Sequence, residues 1–191
     1  GHSGLNIIEN RANALRMLAR VLKDLEKQGI SWTLADLGGG SAHNAIPREA
    51  AARIVIAPGD FERVKKHVNA RFDAMKAEYG KREKNMSLSC SQPGVFSGSV
   101  WSAETARAIV DFMLLVPNGT LTMSQDLPNL VESSCNLATV KVEQGRAIVH
   151  LSCRSSVQPV IPEIQETIAI AAARCGAQAE LGEGYPAWQP D

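Results

Sequence analysis

The sequence predicts an α+β protein: two ferredoxin-like αββαβ lobes packed together around a mostly antiparallel sheet. Three observations predict it. Apolar stripes of helical period alternate with strand-like runs in the order helix, strand, strand, helix, strand, and the order occurs twice. Glycines stand where those elements must end or turn. A Ser, Gly and Pro-rich stretch over residues 91–99 separates the two series and places the lobes at residues 1–95 and 96–191.

In the first lobe, Leu15, Leu18, Ala19, Leu22 and Leu25 recur at helical spacing within residues 10–28, and Gly29 takes the position that closes a helix. Residues 31–37, carrying Trp32, Leu34 and Ala35, and residues 50–56, carrying Ile54, Val55 and Ile56, read as strands joined by a glycine turn. Asp60 is a candidate N-cap for a helix whose apolar stripe runs through Phe61, Val64, Val68, Phe72, Met75 and Tyr79, ending near Gly80. Residues 85–91 alternate Met86, Leu88 and Cys90 against serines, which predicts a strand.

The second lobe repeats the order without residue-by-residue identity: a helix over 102–115, strands over 131–142 and 146–153 with Gly145 in their turn, a helix over 162–175, and a strand from Ala177. Trp101, Tyr185 and Trp188 are expected to anchor packing, since few large side chains are available to fill the core.

Composition excludes several function classes. Twenty basic residues balance twenty acidic ones, so no phosphate-tracking surface and no nucleic-acid partner are expected. No apolar run approaches the roughly 18 residues that span a bilayer, so no membrane partner is expected. Cys90, Cys135, Cys153 and Cys175 show no CxxC spacing, which favours reduced thiols and a cytoplasmic location. The histidines His2, His43, His67 and His150 lie at no metal-ligand spacing, so this chain is expected to hold no metal. There is no GxSxG elbow.

The densest chemistry lies in GGGSAHNAIPREA, from Gly38 to Ala50. Its glycines join two strands instead of opening a helix, which favours a tight turn over a phosphate cradle. The order of motifs is specific: Gly1-His2-Ser3-Gly4; Arg11, Asn13 and Ala14; Gly38-Gly39 and then Asn44-Ala45-Ile46-Pro47-Arg48-Glu49; Pro117-Asn118-Gly119 with Met123-Ser124; Asn136-Leu137; Cys153-Arg154-Ser155-Ser156; and YPAWQP over 185–190. In this order they resemble, from end to end, the lid or dimerisation-type domain of aminoacyl-histidine dipeptidases, a family of two-zinc metallopeptidases.

The resemblance implies a lid that positions a dipeptide, Xaa-His by preference, and closes over two zinc ions held by a catalytic domain absent from this chain. This fragment alone is then expected to be inactive, with zinc only in the parent enzyme, its own catalytic domain as partner, a homodimer as an option, and its two ends close together. By resemblance, His2 helps stabilise the oxyanion, and Asn44 hydrogen-bonds the substrate, with Ile46-Pro47 fixing its direction. A C-terminal carboxylate calls for an arginine fork. Related peptidases carry that arginine where this chain has Ala57, so Arg154 is the substitute and Arg48 the runner-up. His43 flanks Asn44 and is a weaker candidate. The rival reading is a stand-alone ferredoxin-like binding or dimerisation module without catalysis, in which the glycine turn serves only the fold.

Overall fold

The computed structural model describes residues 1–182. Helix α1 (Ala14–Lys27) starts where the Asn13 side chain accepts the Arg16 N–H, and ends before Gly29 at φ 66°. Strands β1 (Trp32–Gly39) and β2 (Ala50–Ile56) pair antiparallel from Trp32↔Ile56 to Gly39↔Ala50, with a register shift between Leu34 and Asp36. Helix α2 (Phe61–Tyr79) turns through Gly80 into the short 3-10 segment Gly80–Glu83.

Helix α3 (Ala103–Leu115) is capped by Ser102, whose hydroxyl accepts the Thr105 N–H. It leads to β3 (Gly119–Met123), the hairpin β4 (Val131–Glu143) and β5 (Arg146–Ser155), and α4 (Val160–Arg174). Gln144 and Gly145 both have positive φ, 50° and 76°, which is the two-residue turn whose twist matches a hairpin.

The α+β class and the antiparallel sheet agree with the sequence. One five-stranded sheet is organised on β4. One edge of β4 pairs with β5 from Ser133↔Ser155 to Glu143↔Arg146. Its other edge is shared: β3 takes one end, from Gly119↔Cys135 to Met123↔Val131, and β1 takes the other at Gly39↔Val140. Helices α1 and α3 carry Leu15, Leu22, Val110 and Met113 into a core with Leu34, Leu37, Leu137 and Val140.

Two expected strands are corrected. Residues 85–91 join no ladder, although Met86, Leu88 and Cys90 do pack against the core while their neighbours are exposed. Period-two burial here marks an extended chain lying on an apolar surface, and a ladder needs a backbone edge as well. Residues 177–182 likewise form no strand. Tyr185 and Trp188, with the YPAWQP motif and the closeness of the two ends, lie outside the described residues. β3 is an element that periodicity did not signal.

Candidate functional site

Residues 133–140 of β4 are buried without interruption, polar ones included. A strand with one wet face would alternate, so both faces must be covered. Part of the cover is built from the residues of the GHSG and NAIPRE motifs. His2 bridges Ala45 in antiparallel fashion, the Ser3 N–H donates to the Asn44 carbonyl at 2.8 Å, and the Ile46 N–H donates to the Gly1 carbonyl at 2.9 Å. The Asn136 amide, rising from β4, donates to the Ala45 carbonyl at 2.8 Å and ties this miniature ribbon down.

The ribbon requires the glycines before it. A Cβ on Gly40 would lie 2.0 Å from the Ala138 carbonyl oxygen, and φ there is +75°, so only glycine lets the loop pass over β4. The expected tight turn is corrected: Gly38 and Gly39 lie within β1, paired with Ala51 and Ala50, residues 40–49 form a long loop, and only Gly40 needs a left-handed backbone.

His2 is fixed by its own turn. Its N–H donates to Asn6 Oδ1 at 2.8 Å, and its Nδ1 accepts the N–H groups of Gly4 at 3.1 Å and Leu5 at 3.3 Å. With Nδ1 occupied as an acceptor, the proton of the neutral imidazole is assigned to Nε2. Arg154 reaches the same corner from β5, where it stands opposite Ser134. A Cβ on Gly4 would meet the Arg154 guanidinium at 2.6 Å and the His2 ring at 3.2 Å, so the last glycine of GHSG is the gap in which these two side chains approach. Ser3 beside them is 3% exposed, and its Oγ has no hydrogen-bond partner among the described residues.

The structure thus brings His2, the Asn44 backbone and Arg154 to one corner. Arg48 is exposed on the link between the ribbon and β2. His43 is exposed in the loop beside Asn44.

The other motif residues have a different employment. Asn13, 1% exposed, donates to the Leu137 carbonyl at 2.8 Å and to Asn118 Oδ1 at 3.1 Å, while that oxygen also accepts the Leu137 N–H at 2.9 Å. The Ala14 N–H donates to the Pro47 carbonyl at 3.1 Å. Asn13, Asn118 and Asn136 are thus a polar knot that holds α1, the loop before β3 and the ribbon on β4. Asn136 was legible as a motif residue, yet only its contact with Ala45 shows that it seats the candidate site.

A cleft of about 270 Å³ lies against this knot, lined by Arg16, Arg20, Tyr79, Asn118 and Asn136 among others, and by none of His2, Asn44, Arg48 and Arg154. Its cations are engaged. Arg16 donates to the carbonyls of Met113, Leu114 and Val116 at the end of α3, and Arg20 pairs with Glu78. Burial, first among its causes, holds the Arg16 guanidinium below its usual range and pushes the Tyr79 phenol up.

Among the described residues no group of three or more His, Cys, Asp or Glu side chains could hold a metal ion, so these residues do not fit the zinc that the resemblance implies. No helix among them is long and apolar enough to cross a membrane.

Comparison with known proteins gives the geometry a context. The peptidase dimerisation domain family matches residues 1–83. The cytosol non-specific dipeptidase of Escherichia coli strain K12 is 29% identical over 191 residues, the whole of this chain and 39% of that protein. The crystal structure of aminoacylhistidine dipeptidase from Vibrio alginolyticus superposes with a TM-score of 0.92 at 27% identity, again covering all of this chain and 39% of that one. The chain therefore spans about two fifths of the length of the relatives it matches. The family match over residues 1–83, the alignment from end to end and the shared backbone agree: the chain is similar to the part of these dipeptidases that includes a peptidase dimerisation domain.

Proposed function

We propose that this domain is the lid of a cytoplasmic zinc dipeptidase, and that it binds and orients a dipeptide while closing over a two-zinc site in an adjoining catalytic domain. The observation that carries this reading is the meeting of His2 and Arg154 at Gly4, beside the ribbon that presents Asn44. Zinc, its ligands, the general base and the attacking water belong to that other domain. This chain's own residues bind, orient and exclude water.

Arg154 offers a planar fork to the substrate's C-terminal carboxylate, and Arg48 is the second candidate for that contact. The Asn44 amide fixes the peptide. His2, with its Nδ1 held by two backbone N–H groups, is left with Nε2–H as the donor for negative charge developing on the scissile carbonyl oxygen. The corner draws on both proposed lobes: His2, Asn44 and Arg48 come from residues 1–95 and Arg154 from residues 96–191.

The test is Arg154→Ala in the full-length enzyme, assayed on a dipeptide and on the same dipeptide with an amidated C-terminus. Removing a charged hydrogen bond worth about 1.5–3 kcal/mol should lower kcat/KM for the free acid by roughly 10- to 150-fold and leave the amide nearly unaffected. Equal rates for variant and parent on the free acid would transfer the carboxylate contact to Arg48 or elsewhere.

The family match also supports a second reading, a binding or dimerisation module. Within the described residues β2 pairs only with β1, which leaves its outer edge open for a second copy. A homodimer is compatible with either reading. The module reading alone requires that His2→Ala and Asn44→Ala leave the full-length protein's hydrolysis unchanged.

A further inference from the structure

β4 and β5 place Cys135 directly opposite Cys153. Opposed residues in an antiparallel pair share a face of the sheet, and these two meet with their sulfur atoms 2.7 Å apart. That is well inside the roughly 3.5 Å at which non-bonded carbon atoms make contact, and a short step from the disulfide length of about 2.05 Å. Neither sulfur is bonded to another: both are free thiols, with Cys135 wholly buried and Cys153 partly exposed. Cys90 and Cys175 have no such neighbour among the hydrogen-bonded and paired groups described, and burial pushes both thiols up.

We infer that Cys135 and Cys153 form a thiol-modification site, a cross-strand dithiol that low-molecular-weight disulfides oxidise reversibly to a disulfide joining β4 to β5. This goes beyond the lid reading and does not rest on it. The order of events follows from exposure and hydrogen bonding. The Cys153 thiolate is the reachable sulfur, and the Cys135 thiol donating to it holds it below the usual thiol range, while the same contact and burial push Cys135 up. Cys153 attacks one sulfur of the external disulfide and releases a thiolate. Cys135 then gives up its proton to solvent, and its sulfur attacks Cys153 and expels the second thiolate. Two protein thiols are oxidised by two electrons, and one external disulfide is reduced to two thiols. Because Arg154 follows Cys153 on the same strand, the crosslink would fix the backbone that carries the arginine.

The experiment treats the folded protein with oxidised glutathione, blocks remaining thiols, and maps peptides by mass before and after dithiothreitol. The expected result is the loss of two of the four thiols, with the peptides carrying Cys135 and Cys153 joined, and recovery of both on reduction. A glutathione adduct on Cys153 with Cys135 still a free thiol would overturn the inference, as would no reaction at either. Cys153→Ser, at the more exposed position, must leave Cys135 reduced under the same treatment. Oxidation of Cys135 onto Cys90 or Cys175 in that variant would equally count against the pair. The unsubstituted protein decides the matter if the variant folds poorly.

Discussion

The knot of Asn13, Asn118 and Asn136 and the corner of His2, Asn44 and Arg154 both rest on the β4–β5 hairpin, yet their polar atoms have opposite fates. In the knot, side-chain amides answer backbone groups that no ladder reaches: Asn13 satisfies the Leu137 carbonyl and Asn118 the Leu137 N–H. In the corner, the backbone does the holding. The carbonyls of Gly1, Asn44 and Ala45 and the N–H groups of Ser3, Gly4 and Leu5 are engaged in building the ribbon and fixing the ring. Residues of one chemical type, in motifs of equal prominence, thus divide into scaffold and candidate ligand contacts according to which atoms the fold already uses.

Two glycines give the sharpest way to break that division. At Gly40 an added Cβ would strike the Ala138 carbonyl oxygen at 2.0 Å with φ at +75°. Neither backbone can yield easily, so Gly40→Ala should destabilise the fold by about 4 kcal/mol, the sum of an overpacked contact and a left-handed alanine. Chemical denaturation of the parent and variant measures it. A loss under about 1 kcal/mol would mean that the ribbon can lift off β4 without harm.

Asn13→Ala is next. It removes the cap of α1 and leaves the buried Leu137 carbonyl without its donor, which together come to about 3 kcal/mol. In full-length enzyme that remains folded, kcat should be unchanged. A variant of full stability with lost activity would move Asn13 from scaffold to site.

At Gly4 the added Cβ meets the tips of side chains instead: the Arg154 guanidinium at 2.6 Å and the His2 ring at 3.2 Å. Side-chain ends swing aside cheaply, so Gly4→Ala should cost less than about 1 kcal/mol of stability. It should still reduce kcat/KM by about tenfold, because both groups are displaced from one another. Stability lost with activity intact would erase the contrast with Gly40.

These contrasts also explain what could be read in advance. The helices were legible from their apolar periods and from Gly29, a local signal, but the caps were not: Asp60, the expected N-cap, heads α2 without a side-chain cap hydrogen bond, whereas Asn13 and Ser102 do cap α1 and α3. Residues 85–91 were over-read because alternation reports a buried side and says nothing about a partner strand. β3 was missed because Gly119-Thr120-Leu121-Thr122-Met123 is short and takes its stability from β4, far along the chain. The motifs named Asn136, but its buried Oδ1, with no hydrogen-bond partner among the described residues, and its bond to Ala45 depend on a crossing of two distant segments. His2 and Asn44 were legible only as motif residues, and their adjacency to Arg154 follows from the hairpin register that sets Arg154 opposite Ser134. The same register makes neighbours of Cys135 and Cys153, which spacing alone does not announce.

The smallest effect tests whether charge or depth separates the scaffold from the site. Arg20 on α1 and Glu78 on α2 form a close ion pair near the knot, but the Glu78 side chain is 52% exposed. The Arg20 hydrogen bond, opposed by slight burial, holds the Glu78 carboxyl below its ordinary 4.5. A carboxyl depressed in the folded state contributes stability that is fully present above its unfolded pKa and disappears as pH falls through the folded one. Glu78→Gln should therefore lower stability by about 0.5 kcal/mol at neutral pH, solvent and salt screening the rest, and the difference from the parent should close as pH falls through the depressed folded-state pKa of the carboxyl. Denaturation midpoints of both proteins across that acid range measure it. A penalty of several kcal/mol that persisted in acid would show Glu78 acting through packing, and would extend the scaffold from the buried amides of β4 to the surface of α2.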